Sequence, residues 1–388
     1  MNQRETVKAP IPAKPELRPF IIAEAPALAG LVTALLFYAF QQPLFANLEN
    51  YWQTSALFLW LFGTMMWCSF AVVRHAEAVA DKLGEPYGTL VLTLSVITIE
   101  VALLASIMLH GENNPTLARD AMFATLMIVL NGMVGAALLM GALRYWEQEY
   151  NLEGARAFLV VIAALAVFAL IIPNYTETEP DPSQSPLKAL MFFSITVLFY
   201  VVFLVIQTMR HRAFFAEPQN NERNEPIHRA LAHPASSSRS LTFHVVMLLL
   251  TLAPVVLLSE FLAVIVDFGI EDLDLPAPLG GVMIALLVLA PEGLTAFNAA
   301  LVNHLQRAVN VCLGSALATI GLTIPAVLMI GLVTGRQVHL GLSEVETVLL
   351  ILTLFVSGLT FAGGRTNVLQ GVVHLLLFVV YVALIFSP

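Results

Sequence analysis

The sequence predicts an all-α polytopic membrane protein with about eleven transmembrane helices, arranged as two inverted five-helix repeats plus one extra N-terminal helix. Three observations predict this fold class: the apolar composition, the long uncharged runs and a glutamate pattern that occurs twice. Of the 388 residues, 58% are hydrophobic and 12% are charged, and the mean hydropathy is +0.82. Soluble domains average about 45–50% apolar and about 25% charged residues. The composition therefore argues against a water-soluble globular protein.

Eleven apolar segments account for most of the chain. A helix of about 20 residues is long enough to cross a hydrocarbon core of about 30 Å. Only helices and closed barrels satisfy the backbone polar groups in lipid, and continuous rather than alternating apolar runs favour helices. The segments lie at 21–40, 54–74, 86–109, 119–142, 155–173, 187–208, 241–266, 278–301, 308–334, 345–362 and 367–386.

The polar stretches between these segments predict the organisation of the chain. Residues 1–20 form a cytoplasmic tail, and residues 21–40 form the extra helix, which is too long for a signal-peptide core and which we expect to be retained. A first five-helix repeat at 54–208 is followed by a linker at 209–240, which carries five Arg together with Pro and Ser. The second repeat occupies 241–386.

Lys and Arg are distributed unevenly over the two sides of this predicted topology. If the N-terminus is cytoplasmic, the tail and loops on the cytoplasmic side hold 15 of the 18 Lys and Arg residues. The opposite side holds only Arg119, Lys188 and Arg336. Cytoplasmic loops are expected to be rich in Lys and Arg. The sequence therefore predicts a cytoplasmic N-terminus and, with eleven spans, a C-terminus on the opposite side of the membrane.

An internal repeat carries the candidate functional residues. Gly88 precedes Glu100 by twelve positions in the third segment, and Gly280 precedes Glu292 by twelve positions in the eighth. The eighth segment comes five segments after the third, so the chain contains two equivalent sets of five segments. Because five is odd, the second set enters the membrane in the opposite sense to the first. Inverted repeats are the architecture of many secondary transporters, which bind their substrates near the midplane where the repeats meet.

Glu100 and Glu292 both fall near the middle of their segments. A carboxylate inside the membrane is costly when ionised and unpaired, so such residues usually belong to ion pathways or proton relays. Two of them can carry a charge of −2, which a divalent cation or two protons would neutralise. Carboxylate oxygens favour hard cations such as Ca²⁺, and metal binding requires deprotonated ligands. The alternative is that each glutamate is a protonated hydrogen-bonding partner between helices.

Four neutral side chains are candidate auxiliary ligands: Thr98, two residues before Glu100, Asn131 in the fourth segment, and Ser315 and Thr319 in the ninth. For Ser315 and Thr319, which lie in a run of small residues, close helix packing is the competing interpretation.

Two further glutamates, Glu77 and Glu260, lie at opposite ends of equivalent segments. Their functional interpretation is a carboxylate at each entrance, which relays protons or attracts cations. For Glu77 a solvated helix end is the alternative, because Arg74 and Asp81 are near it in the sequence.

Several features of other protein classes are absent from the sequence. The four lysines include none in a P-loop, and no phosphorylatable Asp motif of an ATP-driven pump is present. Cys68 and Cys312 lie in apolar segments and predict neither a disulfide framework nor a Cys metal site. These absences argue against ATP-driven pumping and leave gradient-driven exchange or passive conduction. An intramembrane enzyme with a carboxylate pair is the weakest alternative, because the sequence lacks nucleophile–base or metal-ligand spacing. We expect no enzyme activity, no cofactor and no nucleic-acid partner, only inorganic cations, protons and the lipid bilayer.

Two series of residues resemble the α-repeats of calcium/proton exchangers in the cation/calcium antiporter superfamily. The first is Ala76-Glu77, Gly84, Glu100 and Asn131-Gly132, and the second is Ser259-Glu260, Ala290-Pro291-Glu292, Gly314-Ser315 and Pro325. Within the superfamily the chain is similar to the bacterial Cha-type calcium/proton and sodium or potassium/proton antiporters. This resemblance implies a bacterial inner-membrane protein, with the predicted C-terminus in the periplasm. The resemblance implies that Glu100 and Glu292 bind the cation and exchange protons, as the glutamate of each Gly-Asn-Ala-x-Glu motif does in the family.

The chain departs from that motif in both repeats. Residues 96–99 (Val-Ile-Thr-Ile) and 288–291 (Val-Leu-Ala-Pro) stand where the family has Gly-Asn-Ala-x. The number of oxygen ligands helps to distinguish Ca²⁺ from other ions, so the departure bears on ion selectivity. We predict an antiporter that exports Ca²⁺ in exchange for protons, with Na⁺ or K⁺ exchange at the same site as the alternative and a cation channel as a weaker one.

Overall fold

The computed structural model describes residues 17–84, 87–110, 115–175, 186–216, 239–272 and 275–386, nearly all of which are helical. Residues 1–16 of the predicted tail and residues 217–238 of the predicted linker lie outside the described part of the chain. Residues 209–216 of that linker are described, and they continue the preceding helix to Arg210 and then form a short 3₁₀ turn at Arg212–Phe215.

Twelve helices are found in the described residues. They are α1 Leu17–Ala39, α2 Gln41–Phe45, α3 Tyr51–Leu83, α4 Tyr87–His110, α5 Leu117–Tyr145, α6 Leu152–Tyr175, α7 186–210, α8 Leu241–Glu271, α9 Pro278–Leu301, α10 Leu305–Thr334, α11 Glu344–Thr360 and α12 Val368–Phe386. A short antiparallel pair joins β1 (Gln148–Glu149) to β2 (Arg365–Thr366). π-Helical turns interrupt the equivalent helices α5 and α10 at Ile128–Met133 and Thr319–Thr323.

The eleven predicted segments coincide with α1 and α3–α12, which confirms the fold class. In the described residues, nine helices are long and apolar enough to cross a membrane, Ala23–Ala39 is apolar but shorter, and α11 has 17 residues. The largest difference is at α3, which continues beyond the predicted end at residue 74. Its last turns bury Ala76, Ala78 and Val79 against neighbouring helices, so the helix persists until Gly84, whose φ is +66°.

Helices of each repeat, α3–α7 and α8–α12, pack against helices of the other repeat, and equivalent helices make equivalent contacts. α4 packs against α10, as its equivalent α9 packs against α5, and α7 packs against α10, as α12 packs against α5. Glycines allow the close approaches. A Cβ atom on Gly281 of α9 would lie 2.6 Å from the backbone nitrogen of Ala121, and one on Gly371 of α12 would lie 2.6 Å from that of Leu139. α5 is therefore held tightly between α9 and α12.

The extra helix α1 packs on α3 and α8. Its Glu24 carboxylate lies 3.1 Å from the Arg74 guanidinium and 3.0 Å from His75 Nε2, both on α3. The buried His75 ring in turn contacts His244 of α8, with 3.2 Å between the two Nδ1 atoms. These side chains join α1, α3 and α8 at the end of the molecule where α3 ends and α8 begins, which we call the linker end.

Candidate functional site

Glu100 projects from the middle of α4 into the protein interior, where it is only 2% exposed. Its Oε2 atom accepts hydrogen bonds from the Thr319 and Thr323 hydroxyls of α10, each at 3.0 Å. Its Oε1 atom is buried and has no hydrogen-bond partner in the described residues. One oxygen of this carboxylate is thus held by protein hydroxyls, and the other remains available.

Glu292 projects from the middle of α9 and is less buried than Glu100. Its Oε2 atom accepts a hydrogen bond from the Ser315 hydroxyl of α10. The Glu292 carboxyl lies within electrostatic range of the Glu100 and Glu77 carboxyls. Two acidic side chains from opposite repeats therefore contact the same helix.

The shared element is a row of three hydroxyls on α10, formed by Ser315, Thr319 and Thr323. Four residues advance an α-helix by about 6 Å and slightly more than one turn, so residues at this spacing lie on one face. The π turn Thr319–Thr323 begins and ends at the two threonines. Two residues later, Pro325 has no N–H to donate to the carbonyl of Gly321, which favours a departure from regular α-helix here.

A cavity of about 560 Å³ reaches this cluster. Glu292, Ser315 and Thr319 line its inner part. Glu77 and Arg307 also line it, and their side chains are 32% and 44% exposed, so they lie at its mouth. Its remaining walls are largely apolar and include Phe158, Tyr200, Phe203, Phe215 and Ala216. The cavity therefore connects Glu292 with the linker end of the molecule.

The predicted entrance glutamates have different surroundings. Glu77 Oε1 lies 4.0 Å from the Arg307 guanidinium, so an ion pair between α3 and α10 crosses the cavity mouth. Glu260 of α8 accepts a hydrogen bond from the Tyr38 hydroxyl of α1 at 3.3 Å. Ser259, one residue before Glu260, is buried, and its hydroxyl lies 2.5 Å from the Ser106 hydroxyl of α4. This contact joins α8 to α4 on the side of Glu100 that is away from the linker end.

The structure brings together Glu100, Glu292, Ser315 and Thr319, but it does not bring Thr98 to them. Thr98 is exposed and donates its hydroxyl to the Leu94 carbonyl at 2.6 Å. Two residues along an α-helix correspond to a rotation of about 200°, so Thr98 faces away from the side of α4 that carries Glu100.

Asn131 also lies outside the cluster, in a separate buried polar network. Its amide nitrogen donates to the Thr353 hydroxyl at 2.9 Å, and its amide oxygen lies 3.3 Å from His374 Nδ1. The other ring nitrogen of His374 lies 3.0 Å from the Thr360 hydroxyl. All four residues are at least 96% buried. This network joins α5, α11 and α12, and its contacts indicate a role in helix packing.

Sequence reasoning missed Thr323 and Arg307. Thr323 has a visible signal, because it stands four residues after Thr319 in the stretch Thr-Ile-Gly-Leu-Thr. Arg307 has none, because only the crossing of α3 and α10 brings it to Glu77.

The chain has clear similarities to known proteins. The family described as "Sodium/calcium exchanger protein" matches residues 54–209 and 243–387. The chain is 38% identical over 320 residues to the sodium-potassium/proton antiporter ChaA of Escherichia coli, which covers 82% of this chain and 86% of ChaA. It is 25% identical over 264 residues to the Ca²⁺/H⁺ antiporter of Aphanothece halophytica, covering 66% and 70% of the two chains. The structure of native YfkE, 18% identical, superposes with a TM-score of 0.72 over 95% of this chain and 99% of YfkE.

Proposed function

Because the chain belongs to the sodium/calcium exchanger protein family, we propose that it is a secondary active antiporter which exports Ca²⁺ in exchange for protons. Two of its relatives are named cation/proton antiporters: ChaA is named a sodium-potassium/proton antiporter, and the Aphanothece relative is named a Ca²⁺/H⁺ antiporter. The chain is accordingly a membrane transporter and not an enzyme. Exchange of Na⁺ or K⁺ at the same site is the second candidate, favoured by the name of ChaA.

The observation that carries the choice of site is the convergence of Glu100 and Glu292 on one row of hydroxyls. Their carboxylates and the hydroxyls of Ser315 and Thr319 supply up to six oxygen atoms, four from the carboxylates and two from the hydroxyls. Ca²⁺ takes about 6–8 oxygen ligands. When both glutamates are deprotonated, their two charges balance a divalent cation, and when both are protonated the site is neutral. A cation and protons therefore compete for the same oxygens.

The cavity supports a direction for this exchange. It opens at the linker end, which the distribution of Lys and Arg assigns to the cytoplasm of a bacterial inner membrane, with the N-terminus on the same side. A cytoplasmic cation would pass Glu77 and reach Glu292 first. In the opposite state the repeats open to the other side, where Glu260 lies, and protons enter from there. The two repeats, at 54–208 and 241–386, are the units we propose to move relative to one another.

Uptake of ⁴⁵Ca²⁺ into everted membrane vesicles under an imposed proton gradient tests this proposal. Glu100→Gln and Glu292→Gln should each abolish uptake, because an amide cannot exchange a proton for a cation. Glu153→Gln is the matched control, since that side chain is 58% exposed at the start of α6 and does not line the cavity. Uptake that continues undiminished in both site variants would refute the site. Competition by Na⁺ and K⁺ over a series of pH values would separate the two candidate functions.

A further inference from the structure

Thr323 contacts the proposed site without lining its access route. Its side chain is fully buried, and its hydroxyl donates to Glu100 Oε2 at 3.0 Å. Thr319 donates to the same oxygen and also lines the cavity, whereas the residues that line the cavity do not include Thr323. Glu100 does not line the cavity either, so of the two threonines only Thr319 meets an ion that enters there, and the contact of Thr323 with the site is its hydrogen bond to Glu100.

The two hydroxyls leave the Glu100 carboxylate asymmetric. Oε2 accepts two hydrogen bonds from protein, while Oε1 is buried without a partner in the described residues. A buried carboxylate oxygen without a partner is costly unless something else binds it. Two donors four residues apart on α10 also fix the rotamer of Glu100, because a single hydroxyl would still allow the carboxylate to rotate about that one contact.

We propose that Thr323 is a positioning residue that holds Glu100 with Oε1 directed at the transported cation, and that it thereby sets the preference for divalent over monovalent ions. The inference rests on the function proposed above. A divalent cation needs both carboxylates at the same time to balance its charge. A monovalent cation needs only one, and Glu292 remains in place on the cavity wall when Glu100 is displaced. Loss of the Thr323 hydroxyl therefore affects Ca²⁺ more than Na⁺.

Three variants test the assignment. Thr323→Val removes the hydroxyl at nearly constant volume, and Thr323→Ser keeps it. Thr196→Val in α7 is the matched control, because Thr196 is also fully buried but donates only to carbonyls of its own helix, at Phe192 and Phe193. Half-saturation concentrations and maximal rates are measured for Ca²⁺ and for Na⁺ in everted vesicles.

We expect Thr323→Val to raise the half-saturation concentration for Ca²⁺ about tenfold or more, the size expected for a hydrogen bond to a charged group. The half-saturation concentration of Thr323→Val for Na⁺ should change less than about threefold. Thr323→Ser, which keeps the hydroxyl, should have a half-saturation concentration for Ca²⁺ within about threefold of the wild-type value. Thr196→Val should match the wild type in both values.

Other results would overturn the inference. A lower maximal rate of Thr323→Val with an unchanged half-saturation concentration would indicate a purely structural role, and failure of Thr323→Ser to restore affinity would do the same. Equal losses for Ca²⁺ and Na⁺, or a wild type that carries only monovalent ions, would refute the effect on ion preference. Glu100→Gln and Glu292→Gln, measured in parallel, separate the two proposals. Undiminished transport by both variants refutes the site itself. Loss of transport in both, beside normal transport by Thr323→Val, refutes only the role of Thr323.

Discussion

Glu100 and Glu292 hold equivalent places in the two repeats, yet their surroundings differ. Glu100 is almost completely buried and accepts two hydroxyl hydrogen bonds, whereas Glu292 accepts one and lines the cavity. The symmetry of an inverted repeat predicts that this difference is exchanged when the protein opens on its other side. If the proposed function is right, Glu292 is the carboxylate that an incoming ion would meet in this state, and Glu100 would complete the site from behind.

The buried network around Asn131 leads to a prediction about stability rather than transport. Asn131→Leu leaves the Thr353 hydroxyl and the His374 ring without their shared partner. Buried polar groups that lose a partner cost about 1–3 kcal/mol, so the midpoint of thermal unfolding in detergent should fall.

Transport kinetics provide the counterpart to that measurement. The half-saturation concentration for Ca²⁺ should stay at the wild-type value in Asn131→Leu, because Asn131 contacts neither glutamate. Glu292→Gln should show the reverse pattern, with transport lost and the thermal midpoint kept. A large loss of cation affinity in Asn131→Leu would instead make Asn131 part of the ion site.

At the scale of single helices, the π turn of α10 determines which hydroxyls face Glu100. Pro325→Ala restores a backbone N–H that can donate to the Gly321 carbonyl, and a regular α-helix then competes with the π turn. Thr323 should rotate away from Glu100, and the half-saturation concentration for Ca²⁺ should rise several-fold. The thermal midpoint should be unchanged or higher, because a proline inside a helix is destabilising.

Pro26→Ala serves as the control, because Pro26 also lies inside a helix, α1, but away from the cavity. It should leave Ca²⁺ kinetics as in the wild type. Equal kinetics in both proline variants would mean that the π turn is not needed for cation binding.

The helices could be predicted because their signals are local. Continuous apolar runs of membrane-spanning length identify α3–α10, and a repeated spacing identifies Glu100 and Glu292 as equivalent. Contacts that depend on how helices cross could not be predicted in the same way. Thr98 is two residues from Glu100 in the sequence but on another face of the helix. Arg307 meets Glu77 only because α3 and α10 cross at the linker end.

At the scale of the whole molecule, the Glu77–Arg307 ion pair lies where the cavity meets solvent. Partly exposed ion pairs contribute only about 0–1 kcal/mol to stability, so the thermal midpoint should not respond to either partner. Their charges should act on the ion instead: Glu77→Gln should raise the half-saturation concentration for Ca²⁺ at low ionic strength, and Arg307→Gln should lower it. Both effects should shrink in about 0.5 M choline chloride, where exposed charges are screened. If both substitutions change the half-saturation concentration for Ca²⁺ in the same direction, the ion pair acts by holding α3 and α10 together and not by attracting or repelling the cation.

The position of the cavity also predicts which side of the membrane has access to it. Ala216 is exposed and lines the cavity at the linker end, and Thr334 is exposed at the opposite end of α10. The native Cys68 and Cys312 are both buried, so single cysteines can be introduced beside them. A membrane-impermeant maleimide should label Ala216→Cys in everted vesicles and Thr334→Cys in right-side-out ones, because the distribution of Lys and Arg assigns the linker end to the cytoplasm. The opposite labelling pattern would reverse the topology, and with it the proposed direction of export, while leaving the pair of glutamates as the ion site.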